Sequence, residues 1–465
     1  MKRKTVNMVF VMAGVVLSLA SCKNAQSTAV GQQDVDNIVE AADAKSDKNQ
    51  DIGIKGFSRD GIIEETVMVD ESDIKITATD LCYTDYAVQL NLTIENNSDK
   101  DLSFVSGSMG YSCNAINGYM LPSGYMNADV LAGKKTNETI RFRIDELSIY
   151  GITEIADIQI GFNVSDDDYQ TVYRGVGQVK TSEADSYDYE TDTFAENLKS
   201  GVLEKMVDCK VDYYSDDELY NQNGISIISE ALVTNKDGEK TVFIEIENKS
   251  SELVYGVTSG MTINGLVVYS ANWSSDAVSP QTRCVVGLTP SDMLDEDYWD
   301  LFGISEIENI AFSFVITDEE WNEVASSQEV SIALAKKTHP IDDKGKEVYN
   351  ENGIRIIAKG LIEDSSDYSN DIHMLFLIEN NYSDTIVIDD VYNSLSINGY
   401  MVDYMAGSRK FPSGKCALID VEIDKSSLEE CGIAGKEGIA EAEITFEIKD
   451  GKHNDIAEPT VLIEY

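Results

Sequence analysis

Apolar and polar residues alternate along most of this chain, and the alternation returns three times. In Leu90-Asn91-Leu92-Thr93-Ile94-Glu95-Asn96 every second side chain is apolar, so an extended segment has one greasy and one polar face, as a half-buried antiparallel strand does. Val242-Phe243-Ile244-Glu245-Ile246-Glu247-Asn248 and Leu375-Phe376-Leu377-Ile378-Glu379-Asn380 are the later counterparts, each ending in Ile-Glu-Asn. Phe376-Leu377-Ile378 leaves no polar face, which predicts a central strand. Before each of these strands stands an Ile-x-Ile run with a leucine seven residues after its first isoleucine: Ile74 to Leu81, Ile225 to Leu232, Ile354 to Leu361. After each come Ile-Asn-Gly (Ile116-Asn117-Gly118, Ile263-Asn264-Gly265, Ile397-Asn398-Gly399) and then Gly-Ile (Gly151-Ile152, Gly303-Ile304, Gly432-Ile433) leading into a further strand. Four ordered landmarks in three copies mark an internal repeat.

Turn chemistry supports the same reading. Asn223-Gly224 and Asn352-Gly353 each precede an Ile-x-Ile run and supply the two positive φ angles that close a tight hairpin. Asp237-Gly238 marks a turn between the first two strands of the second copy. Helical signals are confined to one turn before each Gly-Ile; in the third copy, Ser426 with Glu429 and Gly432 suits a capped turn ending in glycine. The spacing of Phe194, Leu198 and Val202 fits either a short helix or a packed strand. The prediction is an all-β chain of three tandem immunoglobulin-like β-sandwich modules after a disordered N-terminal linker, with modules at residues 60–181, 201–337 and 338–465 and an acidic linker at 182–200.

The N-terminus has a different pattern. Lys2-Arg3-Lys4 precedes an apolar run from Val6 to Leu19, then Leu19-Ala20-Ser21-Cys22. The run is too short to read as an ordinary membrane span and reads as an export signal. Its last four residues resemble the lipobox of bacterial lipoproteins, which implies cleavage after residue 21 and lipidation of Cys22. Residues 22–59 then form a polar, lipid-anchored flexible linker, and the lipid is the membrane attachment.

The order of an Asn-Gly hairpin, Ile-Glu-Asn with a serine soon after, Ile-Asn-Gly-Tyr-Met at Ile116 to Met120 and Ile397 to Met401, Gly-Lys at Gly133-Lys134 and Gly414-Lys415, and a Leu-x3-Gly-Ile turn resembles the uncharacterised immunoglobulin-like modules of surface lipoproteins from clostridial-type Gram-positive bacteria. The resemblance covers most of residues 65 to 465. It implies the outer face of the bacterial cell membrane and carries over no functional residues. The second copy departs from it, with Gly265-Leu266-Val267 and with Pro280-Gln281-Thr282-Arg283 where Gly-Lys stands elsewhere.

Charge narrows the partners. With 36 basic against 83 acidic residues and a net charge of −47, the surface repels nucleic acid and anionic headgroups and favours a soluble monomer. Six cysteines beyond Cys22 would allow one bridge per copy, but Cys284 and Cys416 align with each other and with Lys135 while the remaining positions do not repeat. Three histidines, His339, His373 and His453, lack metal-ligand spacing. Asp166-Asp167-Asp168 and Glu363-Asp364 with Asp367 and Asp371 lack the frame of a dedicated calcium loop and read as solvated turns. Gly175-Val176-Gly177 reads as a strand edge. No catalytic constellation, cofactor or metal site is expected. Tyr119, Tyr400 and Trp273, in expected loops, are the candidate partner-binding residues, as aromatics that stack on a sugar or anchor a protein. The functional expectation is a non-catalytic, membrane-anchored lipoprotein whose modules bind an extracellular protein or glycan or act as spacers; the alternative is a substrate-capturing lipoprotein or an envelope enzyme acting on glycan or peptide.

Overall fold

The period-two segments become strands and the fold is all-β. The computed structural model describes residues 56–107, 111–267, 277–288, 299–363 and 371–465; the segment expected to be an export signal, Cys22, most of the expected linker and Trp273 lie outside them. The end of the segment expected to be a flexible linker is held, since Phe57 packs on the core and the Ser58 N–H donates to the Thr153 carbonyl at 2.7 Å. Among the described residues no helix is long and apolar enough to cross a membrane.

The first copy makes two facing sheets. Strands Thr66–Glu71, Ile74–Tyr83, Ala87–Asn96 and Lys135–Arg143 pair antiparallel in that order. Opposite them, Asp157–Asp166 pairs with Leu102–Ser106, Ala115–Ile116 and Thr171–Lys180. Inward residues from both sheets, among them Ile76, Leu90, Leu92 and Phe142 from one and Phe104, Ile158, Ile160 and Phe162 from the other, form a single core. Burying one such side chain contributes about 1.5–3 kcal/mol. The third copy repeats this with Lys346–Glu351, Ile354–Glu363, Ile372–Asn380 and Cys416–Ile423 against the sheet centred on Glu441–Asp450. There Phe376 meets Phe446 edge-on at 5.2 Å between ring centres. Ile372–Asn380 is central, as expected, with Leu375 and Leu377 buried on the face opposite Phe376.

The described residues fall into two compact units, one holding those up to Tyr255 with 277–287 and the other holding 256–267 with those from Leu288 to Tyr465. The strands of the second copy are shared between them. Ile225–Asn235, Lys240–Asn248 and Thr282–Leu288 belong to a sheet that also holds strands of the first copy, whereas Tyr255–Ile263, Leu266–Val267, Asn309–Thr317 and Glu323–Ala333 belong to one that holds strands of the third. The segment around Phe194 is helical, as Thr193–Ser200 and Val202–Val207, with Asp192 capping the first by accepting from the Ala195 N–H at 2.8 Å. Phe194, Leu198 and Leu203 are buried in the first unit's core.

Each landmark has a structural task. After every helical turn the glycine takes a left-handed φ (Gly151 73°, Gly303 69°, Gly432 75°), and the next isoleucine N–H donates to the carbonyl five residues back at 2.9–3.0 Å, which satisfies a helix-end carbonyl. The cap of the third-copy helix is Asp424, accepting from the Ser426 N–H at 2.7 Å, rather than Ser426 itself. The carboxylate reaches the free amide from the position before the helix, where a side-chain acceptor works best. In Ile-Glu-Asn the buried asparagine amide ties two loops together: Asn96 Nδ2 donates to the Lys100 and Val130 carbonyls, Asn248 to Glu252 and Val278, and Asn380 to Asp384 and Phe411, all within 3.2 Å. No disulfide joins any of Cys82, Cys113, Cys209, Cys284, Cys416 and Cys431.

Candidate functional site

The three Ile-Asn-Gly hairpins are built alike. The asparagine and glycine both hold positive φ (52° and 83°, 52° and 88°, 50° and 81°), so the return strand leaves tightly. The asparagine side chain then locks the hairpin to the strand after Gly-Ile. Asn117 Oδ1 accepts from the Ala156 and Asp157 N–H groups at 2.8 and 3.1 Å and its Nδ2 donates to the Glu154 carbonyl at 2.7 Å. Asn264 makes the same three bonds to Glu308, Asn309 and Glu306, and Asn398 to Ala440, Glu441 and Gly438.

The copies diverge after the glycine. In the first copy Tyr119 pairs in parallel with Arg283 of the second copy, and the Arg283 N–H donates to the Gly118 carbonyl at 2.7 Å. In the second copy Leu266 and Val267 pair in parallel with Cys416 and Ala417 of the third, with Cys416 N and the Gly265 carbonyl oxygen 3.5 Å apart. The hairpin of one copy thus joins the sheet of the next at the same place. Left-handed φ at Gly133, Gln281 and Gly414 (65°, 60°, 79°) and the ion pairs Lys135 with Glu95 and Arg283 with Glu247 set Lys135, Arg283 and Cys416 as equivalents. Cys284 therefore stands one residue beyond the position that the sequence alignment assigns it, because Gln281 replaces the turn glycine.

Tyr119 is not an exposed loop aromatic. It is 2% exposed, because the segment from Glu190 to Phe194 and the second-copy strand at Arg283 close over it. Its hydroxyl donates to Asp192 Oδ1 at 3.2 Å and accepts from Arg283 Nη1 at 3.4 Å, with the guanidinium carbon 5.8 Å from the ring centre. Arg283 also reaches Glu247 at 3.2 Å and the Glu190 and Thr191 carbonyls at 3.2 Å. Tyr150 and Phe194 continue the aromatic stack at 5.9 and 6.0 Å. Burial, with the Glu245 and Asp192 carboxylates, pushes the Tyr119 phenol well above its ordinary range. Glu245, 1% exposed and bonded to the Ser229 hydroxyl at 2.8 Å, is held well above the usual carboxylate range by burial and by Asp192. Sequence reading missed Glu245, Asp192 and Arg283 as a group. The available signal was that Glu245 occupies the place of Thr93 and Leu377 within its strand, in the copy that also lacks Gly-Lys.

Tyr400 is 55% exposed and Met401 60%, on the hairpin of the third copy. Tyr119 and Tyr400 therefore have opposite settings. The histidines have separate partners, His339 on Glu308 and His373 on Asp420 at 3.0 Å, while His453 takes a turn position at φ 66°. Among the described residues no group of three or more His, Cys, Asp or Glu is placed to hold a metal. Asp166 accepts from the Asp168 and Gln170 N–H groups and from Lys100, so its acidic run closes a turn; Asp364 and Asp367 lie outside the described residues. Gly175 to Gly177 lie within Thr171–Lys180, paired along one side with Asp157–Asp166. A groove of about 560 Å³ runs between Ile62–Thr66 and Gln178–Ser182.

No family model matches the chain, and no curated protein matches it. Among solved structures it is similar to chicken MD-1 complexed with lipid IVa, at 14% identity over 26% of this chain and 99% of that one with a TM-score of 0.13. It is also similar to the Amycolatopsis orientalis exo-chitosanase CsxA, at 7% identity over 87% and 78% with 0.17, and to the BSP domain of a biofilm associated protein, at 9% over 92% and 69% with 0.14. None of these reaches the range in which a shared fold is shown.

Proposed function

We propose that this is a lipid-anchored protein of the outer face of a bacterial cell membrane, of the clostridial-type surface lipoprotein kind, whose repeated immunoglobulin-like modules bind or space without catalysis. The observation that carries the reading is the use made of the repeated polar residues. Asn117, Asn264, Asn398, Asn96, Asn248 and Asn380 commit their bonding capacity to loops and hairpins of their own copy, so what recurs is scaffolding. The buried cluster around Tyr119 also reads as a joint: its Arg283 and Asp192 bond protein groups, and a reacting group would need access to Tyr119 at 2% exposure. Tyr400 and Met401 offer the better contact surface.

The anchor is tested by Cys22→Ala. Wild type should partition into detergent with diacylglycerol on residue 22, and the variant should remain unlipidated and unprocessed. Mass spectrometry finding an unmodified N-terminus on wild-type chain from cells would refute the anchor. A glycan and secreted-protein array on the same chain then seeks the partner.

A further inference from the structure

Among the described residues the joint between copies is made twice, and one half of it is left unpaired in the first copy and the other half in the third. The strand after Ile-Asn-Gly is flanked on both sides in the first and second copies, but among the described residues Tyr400–Met401 is the edge of its sheet. Of the three equivalent receiving strands, Thr282–Leu288 and Cys416–Ile423 are flanked on both sides, whereas Lys135–Arg143 is an edge among the described residues. We propose that the chain binds a second copy of itself head to tail, with Tyr400–Met401 of one copy adding in parallel to the Lys135 end of that edge strand in the next.

Three observations support the fit. The first is ladder phase. Asn96 N–H donates to the Lys134 carbonyl at 2.9 Å, and Lys135 faces Glu95, so Lys135 belongs to a pair whose own N–H groups point away from each other. Cys416 has the same phase, with Asn380 N–H donating to the Lys415 carbonyl, and it turns its N–H to Gly265. Lys135 presents the same N–H outward, and Gly399 stands where Gly118 and Gly265 do.

The second is side-chain chemistry. Tyr119 meets Arg283 across the first joint, and the unused halves carry Tyr400 and Lys135, again a phenol and a cation. The third is charge. Lys134 and Lys135 are exposed on the receiving edge, and Asp403, Glu441 and Glu443 are exposed beside the Tyr400 hairpin. That local attraction opposes the repulsion expected between chains of net charge −47 and replaces the monomer expected from charge alone. Because the two surfaces differ, each added copy uses one half and retains the other, so the assembly keeps a free half at each end and grows or closes as a ring. The proposal stands independently of the lipid anchor.

The test uses the full chain in detergent. A contact this small belongs to weak interfaces, so sedimentation velocity is run up to about 100 μM. Wild type should form a concentration-dependent series of species. Lys135→Pro removes the outward N–H without touching the ladder to Glu95 and Asn96, and Tyr400→Lys sets a cation against Lys134 and Lys135 at an exposed position; each alone should weaken association at least roughly tenfold with an unchanged melting temperature. Mixed, the two variants should give a dimer and nothing larger, since Lys135→Pro retains a working hairpin and Tyr400→Lys a working edge. A wild type monomeric throughout, association unaffected by either variant, or a mixture that stays monomeric or builds longer species would each overturn the proposal.

Discussion

The first and third copies carry the same five residues, Ile-Asn-Gly-Tyr-Met, in the same backbone shape. Asn117 and Asn398 make the same three hydrogen bonds, yet Tyr119 is 2% exposed and Tyr400 55%. The difference lies in the next copy along the chain: the first copy has a successor whose Arg283 strand closes over the tyrosine, and the third ends the repeat within this sequence. Local sequence sets the turn. The neighbouring copy sets whether the turn is core or surface.

The largest effect that would break this comparison comes from truncating both rings. Tyr119→Ala should cost about 3 kcal/mol or more, as large buried aromatics do, and leave Asp192 and Arg283 without their phenol. Tyr400→Ala should stay within about 0.5 kcal/mol, as exposed changes do. Urea unfolding of the two variants checks this; equal losses would mean that the two hairpins are energetically alike and that exposure does not distinguish them.

A smaller effect sharpens the comparison through pH. Glu245 beside the first joint has a folded pKa raised by burial and by Asp192. The native state therefore holds a proton that the unfolded chain releases above its ordinary value near 4.5, so this group's contribution falls as pH rises from there toward the folded value. Wild type should gain stability relative to Glu245→Gln as pH drops from about 7.5 toward 5. The third copy has Leu377 at the equivalent place and should add no such slope. Melting curves of both proteins across that range that run parallel would remove Glu245 from the joint's energetics.

Much of this fold was legible in the sequence because its signals are local. Alternation in Leu90 to Ile94, the Asn-Gly pairs and the Gly-Ile turns each act within a few residues, and the structure has strands, left-handed pairs and helix ends there. The burial of Tyr119 was not legible, since Tyr119–Met120 is a two-residue strand, too short for any period, and its partner Arg283 lies far along the chain. The same holds for Val267, which enters the third copy's core on the strength of pairing with Ala417. Charge hid the rest: in a chain with 83 acidic residues, the replacement of Thr93 and Leu377 by Glu245 at the equivalent place is a faint mark of burial, and Asp192 carries none.

Hydrogen exchange at three backbone amides tests the central claim, that Ile-Asn-Gly hairpins join one copy to the next. In dilute protein the Arg283 and Cys416 amides, turned toward Gly118 and Gly265, should be strongly protected, while the equivalent Lys135 amide at the open edge should exchange at close to solvent-exposed rates. Protection at Lys135 matching that at Arg283 under monomeric conditions, or free exchange at Arg283 and Cys416, would contradict it.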